Sequence, residues 1–212
     1  MDERLLKLLA LASEPILTSP HTIELEALHN LNITPTDLTE ALSWKNGWYA
    51  FESSLHVFPL GKKDGVFDLQ SWNSEALWRT SYGDLARNAF FFAEDVFGGQ
   101  FCFKQDKIHL FEPETGETQF FANELGEWAG KIVDNYCLYT GFPLAHEWQK
   151  QHGALRPGKR LLPKTPFVLQ GAYTVENLYA ADCVEGMRFR GDIALQLRGL
   201  PDGSKVRLKV TP

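Results

Sequence analysis

The stretch Phe90–Phe111, FFFAEDVFGGQFCFKQDKIHLF, constrains the fold more than any other part of the chain. Three short runs of aromatic and other β-forming residues are separated by Gly98-Gly99 and by Gln105-Asp106. A glycine pair tolerates positive φ and can close a tight turn between two strands. The pattern therefore predicts three consecutive strands joined by two turns, and we place them in the middle of a sheet.

The flanking segments of the N-terminal part predict a mixture of strands and helices. Apolar residues in Trp48–Phe51 and Leu55–Phe58 surround a short polar turn, which is typical of a hairpin. Apolar residues at helical spacing predict helices over 2–12, 21–31, 34–44, 69–80, 125–138 and 144–151. Strands and helices in this mixture indicate an α+β protein.

The C-terminal part has a different pattern. Residues 152–164, HGALRPGKRLLPK, have the composition of a linker. A strand over 173–179, a helix from Asp182 to about Arg198 and an alternating strand over 205–210 follow. Their order predicts a β-α-β unit with parallel strands and a right-handed crossover. We therefore predict a domain over residues 1–151 and a C-terminal extension, 152–212, that packs on it.

Charge is distributed unevenly between the two parts. The net charge is −6, but residues 1–150 hold 22 acidic and 11 basic residues, whereas residues 151–212 hold 5 acidic and 10 basic residues. The balances are therefore −11 and +5. Either the basic extension packs on the acidic body, or each part meets a different partner.

Cysteine content and hydropathy indicate a cytoplasmic protein. Cys102, Cys137 and Cys183 are three in number and widely spaced, which is typical of reduced thiols. The apolar runs are shorter than a membrane span, and the acidic start at Asp2 and Glu3 is unlike a signal peptide. We predict a soluble, cytoplasmic chain that does not contact a membrane.

Motifs for metal or cofactor binding are incomplete. His146-Glu147 begins a zinc-protease pattern, but Lys150 stands where the second histidine is required. Gly98-Gly99 lacks the Gly-Lys-Ser/Thr that follows in a phosphate-binding loop. We expect no metal and no organic cofactor.

Catalytic and nucleic-acid-binding motifs are also weak. Glu94 and Asp95 are adjacent in a strand and would point to opposite faces unless the strand bulges. The bases of the linker segment stand without interleaved aromatic residues in an acidic chain, so we interpret them as solvated: Arg156, Lys159, Arg160 and Lys164. We expect no enzymatic activity and no direct contact with nucleic acid.

A resemblance to a known family rests on the order of several motifs. Lys45-Asn46-Gly47 ends a Pro-capped helix, a hairpin ends in Phe58-Pro59-Leu60, and a Trp-bearing helix precedes FFFAEDVFGGQFCF. A strand ending in Leu110-Phe111 and a helix around Trp128 complete the order. Residues 22–151 resemble the SUKH superfamily, which includes fungal cell-wall regulators and bacterial immunity proteins. Residues 152–212 depart from that pattern, since the minimal family domain lacks them.

The family's most recognisable stretch has acidic residues, a Gly-containing hairpin and an aromatic-rich strand. Six residues occupy those positions here: Glu94, Asp95, Gly98, Gly99, Phe101 and Phe103. The resemblance implies an α+β fold with a central, mostly antiparallel sheet flanked by helices. It also implies binding without catalysis, because many bacterial members neutralise a cognate toxin, often a nuclease, by direct contact.

Three functional hypotheses remain at this point. The first is an immunity-type protein whose acidic body attracts a basic toxin domain. The second is a regulatory adaptor or scaffold that uses the same face without a toxin. The third is a hydrolase or transferase with a site that the sequence does not reveal.

For the first two hypotheses we predict contact residues on and near the central hairpins: Glu52, Asp84, Glu94 and Asp95. Because strand residues alternate between faces, one of Glu94 and Asp95 should point outward. The alternative is that these two residues shape the hairpin through local backbone hydrogen bonds.

Overall fold

The centre of the fold is a six-stranded antiparallel sheet in which spatial order follows chain order. The structure, a computed structural model, describes residues 1–18, 36–201 and 203–208. The strands are β1 (Trp48–Ala50), β2 (Leu55–Val57), β3 (Phe90–Asp95), β4 (Gln100–Lys104), β5 (Lys107–Phe111) and β6 (Thr118–Ala122). The α+β class is confirmed, and so are the three strands and two turns predicted within residues 90–111.

Helices cover both faces of this sheet. They are α1 (Glu3–Leu11), α2 (Thr36–Trp44), α3 (Leu69–Trp72), a 3-10 turn (Arg79–Tyr82), α4 (Leu125–Asp134), α5 (Tyr136–Tyr139) and α6 (Phe142–His152). The helix predicted over 69–80 is shorter than expected, because its first turn ends at Asn73 and the chain resumes as the 3-10 turn. The helix predicted over 21–31 lies outside the described residues.

Aromatic residues fill the core on each side of the sheet. On one face, Trp128 of α4 packs edge-on against Phe92 and Phe101. On the other face, Trp78 packs against Phe91, which in turn contacts Phe111. Fully burying a large apolar side chain contributes about 1.5–3 kcal/mol. The dense aromatic stretch of the sequence therefore forms the strands that both helical layers cover.

The C-terminal extension differs from the predicted β-α-β unit. It contains β7 (Lys159–Pro163), β8 (Leu178–Asp182) and α7 (Cys183–Leu197), and β7 pairs with β8 in antiparallel register. The prediction of parallel strands is wrong, because both strands precede the helix. Residues 205–208 are not in a strand, and 209–210 lie outside the described residues.

The segment interpreted as a linker contains β7. Its apolar pair, Leu161 and Leu162, is buried between basic residues and prolines that give the segment a loop-like composition. The predicted strand over 173–179 lies later, at β8, and leads directly into α7. Asp182 caps α7 as predicted, accepting backbone N–H bonds from Val184 and Glu185.

The extension packs directly on the rest of the protein. Cys183, Val184, Met187 and Ala194 of α7 belong to the main apolar core. The Leu161 N–H donates to the Val96 carbonyl at 2.8 Å, which joins β7 to the end of β3. In the described parts of the chain, no helix is long and apolar enough to cross a membrane.

Candidate functional site

A row of four polar or aromatic side chains crosses the first four strands. Tyr49 pairs with His56, His56 with Glu94, and Glu94 with Gln100. Directly paired residues on neighbouring strands share one face of a sheet. The register of β3 against β4 shifts between Phe91 and Ala93, and this irregularity places Glu94 on the same face as Phe91.

Glu94 is the centre of a buried charge cluster. Only 2% of its surface is exposed, and Arg160 of β7 is equally buried. The Arg160 Nη2 lies 2.7 Å from Glu94 Oε1, and His56 Nδ1 lies 3.1 Å from the same oxygen. Gln100 Nε2 donates to Glu94 Oε2 at 3.1 Å, and Gln100 Oε1 accepts from Trp72 Nε1 at 2.8 Å. The extension therefore supplies the counter-charge for an acid in the central sheet.

The electrostatics of the cluster favour fixed charge states. Burial alone would raise the pKa of Glu94, but the Arg160 charge and the bonds from His56 and Gln100 lower that pKa to about 2. Burial lowers the pKa of His56, which is therefore neutral near pH 7. Burial raises the pKa of the neighbouring Cys183 thiol to about 12. The ionised Glu94, the neutral His56 and the protonated thiol of Cys183, the first residue of α7, therefore act as a structural element.

The prediction that Glu94 lies on a contact surface is wrong, because its carboxylate is enclosed and paired. The interpretation of Arg160 as a solvated linker base is wrong for the same reason. Both errors have one cause: the two residues belong to distant segments, and only the pairing of β7 with β8 beside the sheet brings them together.

Glu52 and Asp84 are about half exposed, as predicted, but each has an intramolecular partner. Glu52 Oε2 lies 2.9 Å from His146 Nδ1 of α6. Arg198, which follows α7, donates two hydrogen bonds to the Asp84 carboxylate. A basic partner would have to compete with these contacts. Part of the basic charge of the extension is thus neutralised on the acidic body.

Asp95 shapes the turn between β3 and β4. It is half-buried, and its Oδ1 accepts N–H bonds from Phe97 and Gly99, both at 2.8 Å. Gly98 has φ +80°, and a Cβ on Gly99 would lie 2.5 Å from Asp95 Oδ2. The turn therefore requires both glycines. Burial and then the nearby charge of Glu112 raise the pKa of Asp95 to about 7.

Phe101 and Phe103 of the predicted hairpin motif are core residues of β4. Phe101 contacts Trp128 and Phe121, and Phe103 stacks on Phe92 at 4.6 Å between ring centroids. They hold the hairpin in the sheet and are not available to a partner.

Three hairpin turns lie at the same end of the sheet, because β1, β3 and β5 run in the same direction. The β5–β6 turn adds Glu112, Glu114 and Glu117 to Asp95 of the β3–β4 turn. Glu112 and Glu117 are exposed, whereas Glu114 is buried and its Oε2 accepts the Val168 N–H at 2.8 Å. We call this region, Asp95 with Glu112, Glu114 and Glu117, the acidic end.

Three aromatic rings border the acidic end. Phe167 and Tyr173 stack with centroids 4.0 Å apart and an interplanar angle of 3°. Phe97 stands edge-on to both rings. Tyr173 remains 65% exposed. Sequence reasoning missed this aromatic patch (Phe97, Phe167 and Tyr173), because its rings come from three separate segments and no local spacing connects them.

A groove of about 300 Å³ lies between the end of α7, the β5–β6 turn and residues 199–201, 203, 204 and 206. Among the described residues, its charged lining residues are Glu117 and Arg198, and Arg198 is bound to Asp84. Within the described residues, no three His, Cys, Asp or Glu side chains are placed to hold a metal ion.

Comparisons with known proteins give one informative result. No protein-family model matches the chain, and no curated protein matches it. Among solved structures, the chain is similar to the crystal structure of Atu4351 from Agrobacterium tumefaciens, with a TM-score of 0.60 and 14% identity. The match covers 90% of this chain and 88% of that chain.

This match shows a shared fold alone. A coverage of 90% of 212 residues is more than residues 1–151 could supply, so the shared fold reaches into the extension. The extension is thus part of the fold that the two chains share.

Proposed function

We propose that this chain is a non-enzymatic protein-binding protein that contacts a basic partner through the acidic end. The observation that carries the proposal is the crowding of four acidic residues in two adjacent turns. The guanidinium of Arg190 lies behind these turns, and that of Arg198, which lines a groove with Glu117, is paired with Asp84. A net negative field on rigid hairpins attracts a basic surface and orients it.

The contacts around the acidic end support this proposal. The Arg190 side chain is buried and donates to the carbonyls of Phe97 and Gly186, so it is committed to the backbone. The raised pKa of Asp95 reflects burial and the unbalanced charge of Glu112. A partner's arginine or lysine would relieve that imbalance.

For the partner, we propose a toxin domain that the protein neutralises by direct contact, as in immunity proteins. This choice depends on the resemblance of residues 22–151 to the SUKH superfamily and on the acidic surface, since nucleic-acid-cleaving domains tend to present basic clefts. A regulatory adaptor of the same fold would bind through the same surface without a toxin.

The test measures association with the product of the neighbouring gene. We expect the double variant Glu112→Gln, Glu117→Lys to slow association and to weaken its dependence on ionic strength, with an unchanged melting temperature. Glutamine at position 112 keeps the oxygen that accepts the Glu114 N–H. The control is Asp134→Lys, which reverses the charge of an exposed acid at the end of α4, outside the acidic end.

Equal effects of the two changes on association would contradict the acidic end as the contact surface. Binding without inhibition of any toxic activity would favour the adaptor. Turnover of a substrate by the purified protein would contradict the proposed function itself.

A further inference from the structure

We propose that the open face of Tyr173, in the aromatic patch beside Glu112, is a binding site for an arginine side chain. The inference deepens the proposed function, since that side chain would come from the partner, but the site itself can be tested without one.

The ring geometry provides the platform. Phe167 covers one face of the Tyr173 ring at 4.0 Å, and Phe97 supports the pair edge-on. With 65% of Tyr173 exposed, its other face is open to solvent. The negative face of an aromatic ring attracts a cation, and a planar guanidinium can stack on it.

The surrounding charge selects a cation over an anion or a neutral group. Glu112 and Glu114 follow β5, and Asp95 ends β3, so their carboxylates converge from two adjacent turns. Burial is the largest cause that raises the pKa of the Tyr173 phenol, and the charges of these three carboxylates raise it further. Their field therefore reaches the ring.

The guanidinium of Arg190 is buried and already bound within the protein. Arg190 lies on α7, is 4% exposed, and donates to the backbone carbonyl of Phe97 and to that of Gly186. It compensates part of the charge from behind the turn. Glu112, which is exposed, leaves a negative edge next to the platform.

The support of the platform is rigid, which favours binding. Glu114 holds the Phe167 segment through the Val168 N–H, and Asp95 holds Phe97 through its N–H. Aromatic and acidic groups are therefore fixed relative to each other before a ligand arrives, so little ordering accompanies binding.

The first experiment titrates N-acetyl-arginine amide into the protein at pH 8, where Asp95 is ionised, and follows backbone amide signals by NMR. We expect shifts at Phe97, Gly98 and Tyr173. The neutral isostere N-acetyl-citrulline amide should produce none. Equal shifts with both probes would overturn the proposal.

Two variants locate the binding. Tyr173→Leu removes the π face and should weaken probe binding roughly two- to fivefold. The matched control Tyr179→Leu changes a tyrosine of β8 that is 42% exposed and should leave binding unchanged. If Tyr173→Leu binds the probe as tightly as the wild type does, the site is wrong.

A second measurement separates this inference from the proposed function. Should the neighbouring gene product bind wild type and Tyr173→Leu equally, the arginine site fails while the protein-binding function stands. Should no partner bind, the proposed function fails, and the probe titration alone still decides the site.

Discussion

Arg160 and Glu94 are opposite charges enclosed between a small sheet and a large one. Their nitrogen and oxygen atoms are 2.7 Å apart, and each residue is only 2% exposed. Taking an unpaired charge out of water costs several kcal/mol. Each of these buried charges is therefore stabilised mainly by the opposite charge of the other residue.

Replacing Arg160 with methionine should destabilise the protein by about 3–5 kcal/mol, because Glu94 would be left buried and unpaired. Urea denaturation measures the loss. The control is Lys159→Met, a neighbour that is 42% exposed and pairs loosely with Asp182; we expect less than about 1 kcal/mol there. Adding Glu94→Gln to Arg160→Met should recover part of the loss, and no recovery would argue against the ion pair.

Asp95 should make stability depend on pH. Its folded-state pKa, about 7, lies above the ordinary aspartate value of 3.8, so the folded state keeps the proton to a higher pH than the unfolded state does. The contribution of the raised Asp95 pKa to the free energy of unfolding is fully present below pH 3.8 and is lost as the pH rises through 7. Asp95→Asn keeps the oxygen that accepts the Phe97 and Gly99 N–H bonds and removes the titration.

The stability of Asp95→Asn relative to wild type should therefore increase between pH 5 and pH 7.5, by at most about 1.4 kcal/mol per pH unit. Denaturation at several pH values gives the difference. The titration of His56 affects the stability of both proteins equally, so it cancels in the difference between them. Parallel stability curves would mean that the Asp95 carboxyl does not carry the raised pKa.

Helix α7 approaches the 3-10 turn unusually closely through one residue. A Cβ on Gly191 would lie 2.7 Å from the Ser81 carbonyl oxygen, which is backbone and cannot rotate away. Gly191→Ala should therefore destabilise by about 1–3 kcal/mol, despite the better helix propensity of alanine. Thermal or urea unfolding measures it. The control is Asp192→Ala at the exposed neighbouring residue, which should change the free energy of unfolding little. If Gly191→Ala were instead more stable than the wild type, the helix would be able to shift away from Ser81, and the prediction would be wrong.

Elements with a strong local pattern could be predicted from the sequence. The strands of residues 90–111 could be predicted because alternating aromatics and turn residues are local signals. Strand β7 could not, since two buried leucines among bases and prolines resemble a linker until their partner β8 is known. The same holds for the site: the Asp95 turn could be inferred locally, whereas Tyr173 meets Phe97 only through tertiary packing.

At the scale of the whole molecule, the extension completes the body. It covers the core with Val184 and Met187 and neutralises Glu94 and Asp84 with arginines. Removing residues 153–212 should expose that apolar surface and leave Glu94 buried without its cation. We expect insoluble protein or a molten state that binds a hydrophobic dye and lacks near-ultraviolet circular dichroism. A truncated protein with an unchanged cooperative melt would contradict this.

The chain order of the ion pair has a consequence for biosynthesis. A ribosome releases Glu94 and the whole six-stranded meander well before Arg160 and α7 emerge. A sheet that closed early would enclose a lone carboxylate, which is unfavourable. We therefore expect the nascent sheet to stay open around Glu94, and the fold to close only after translation of α7.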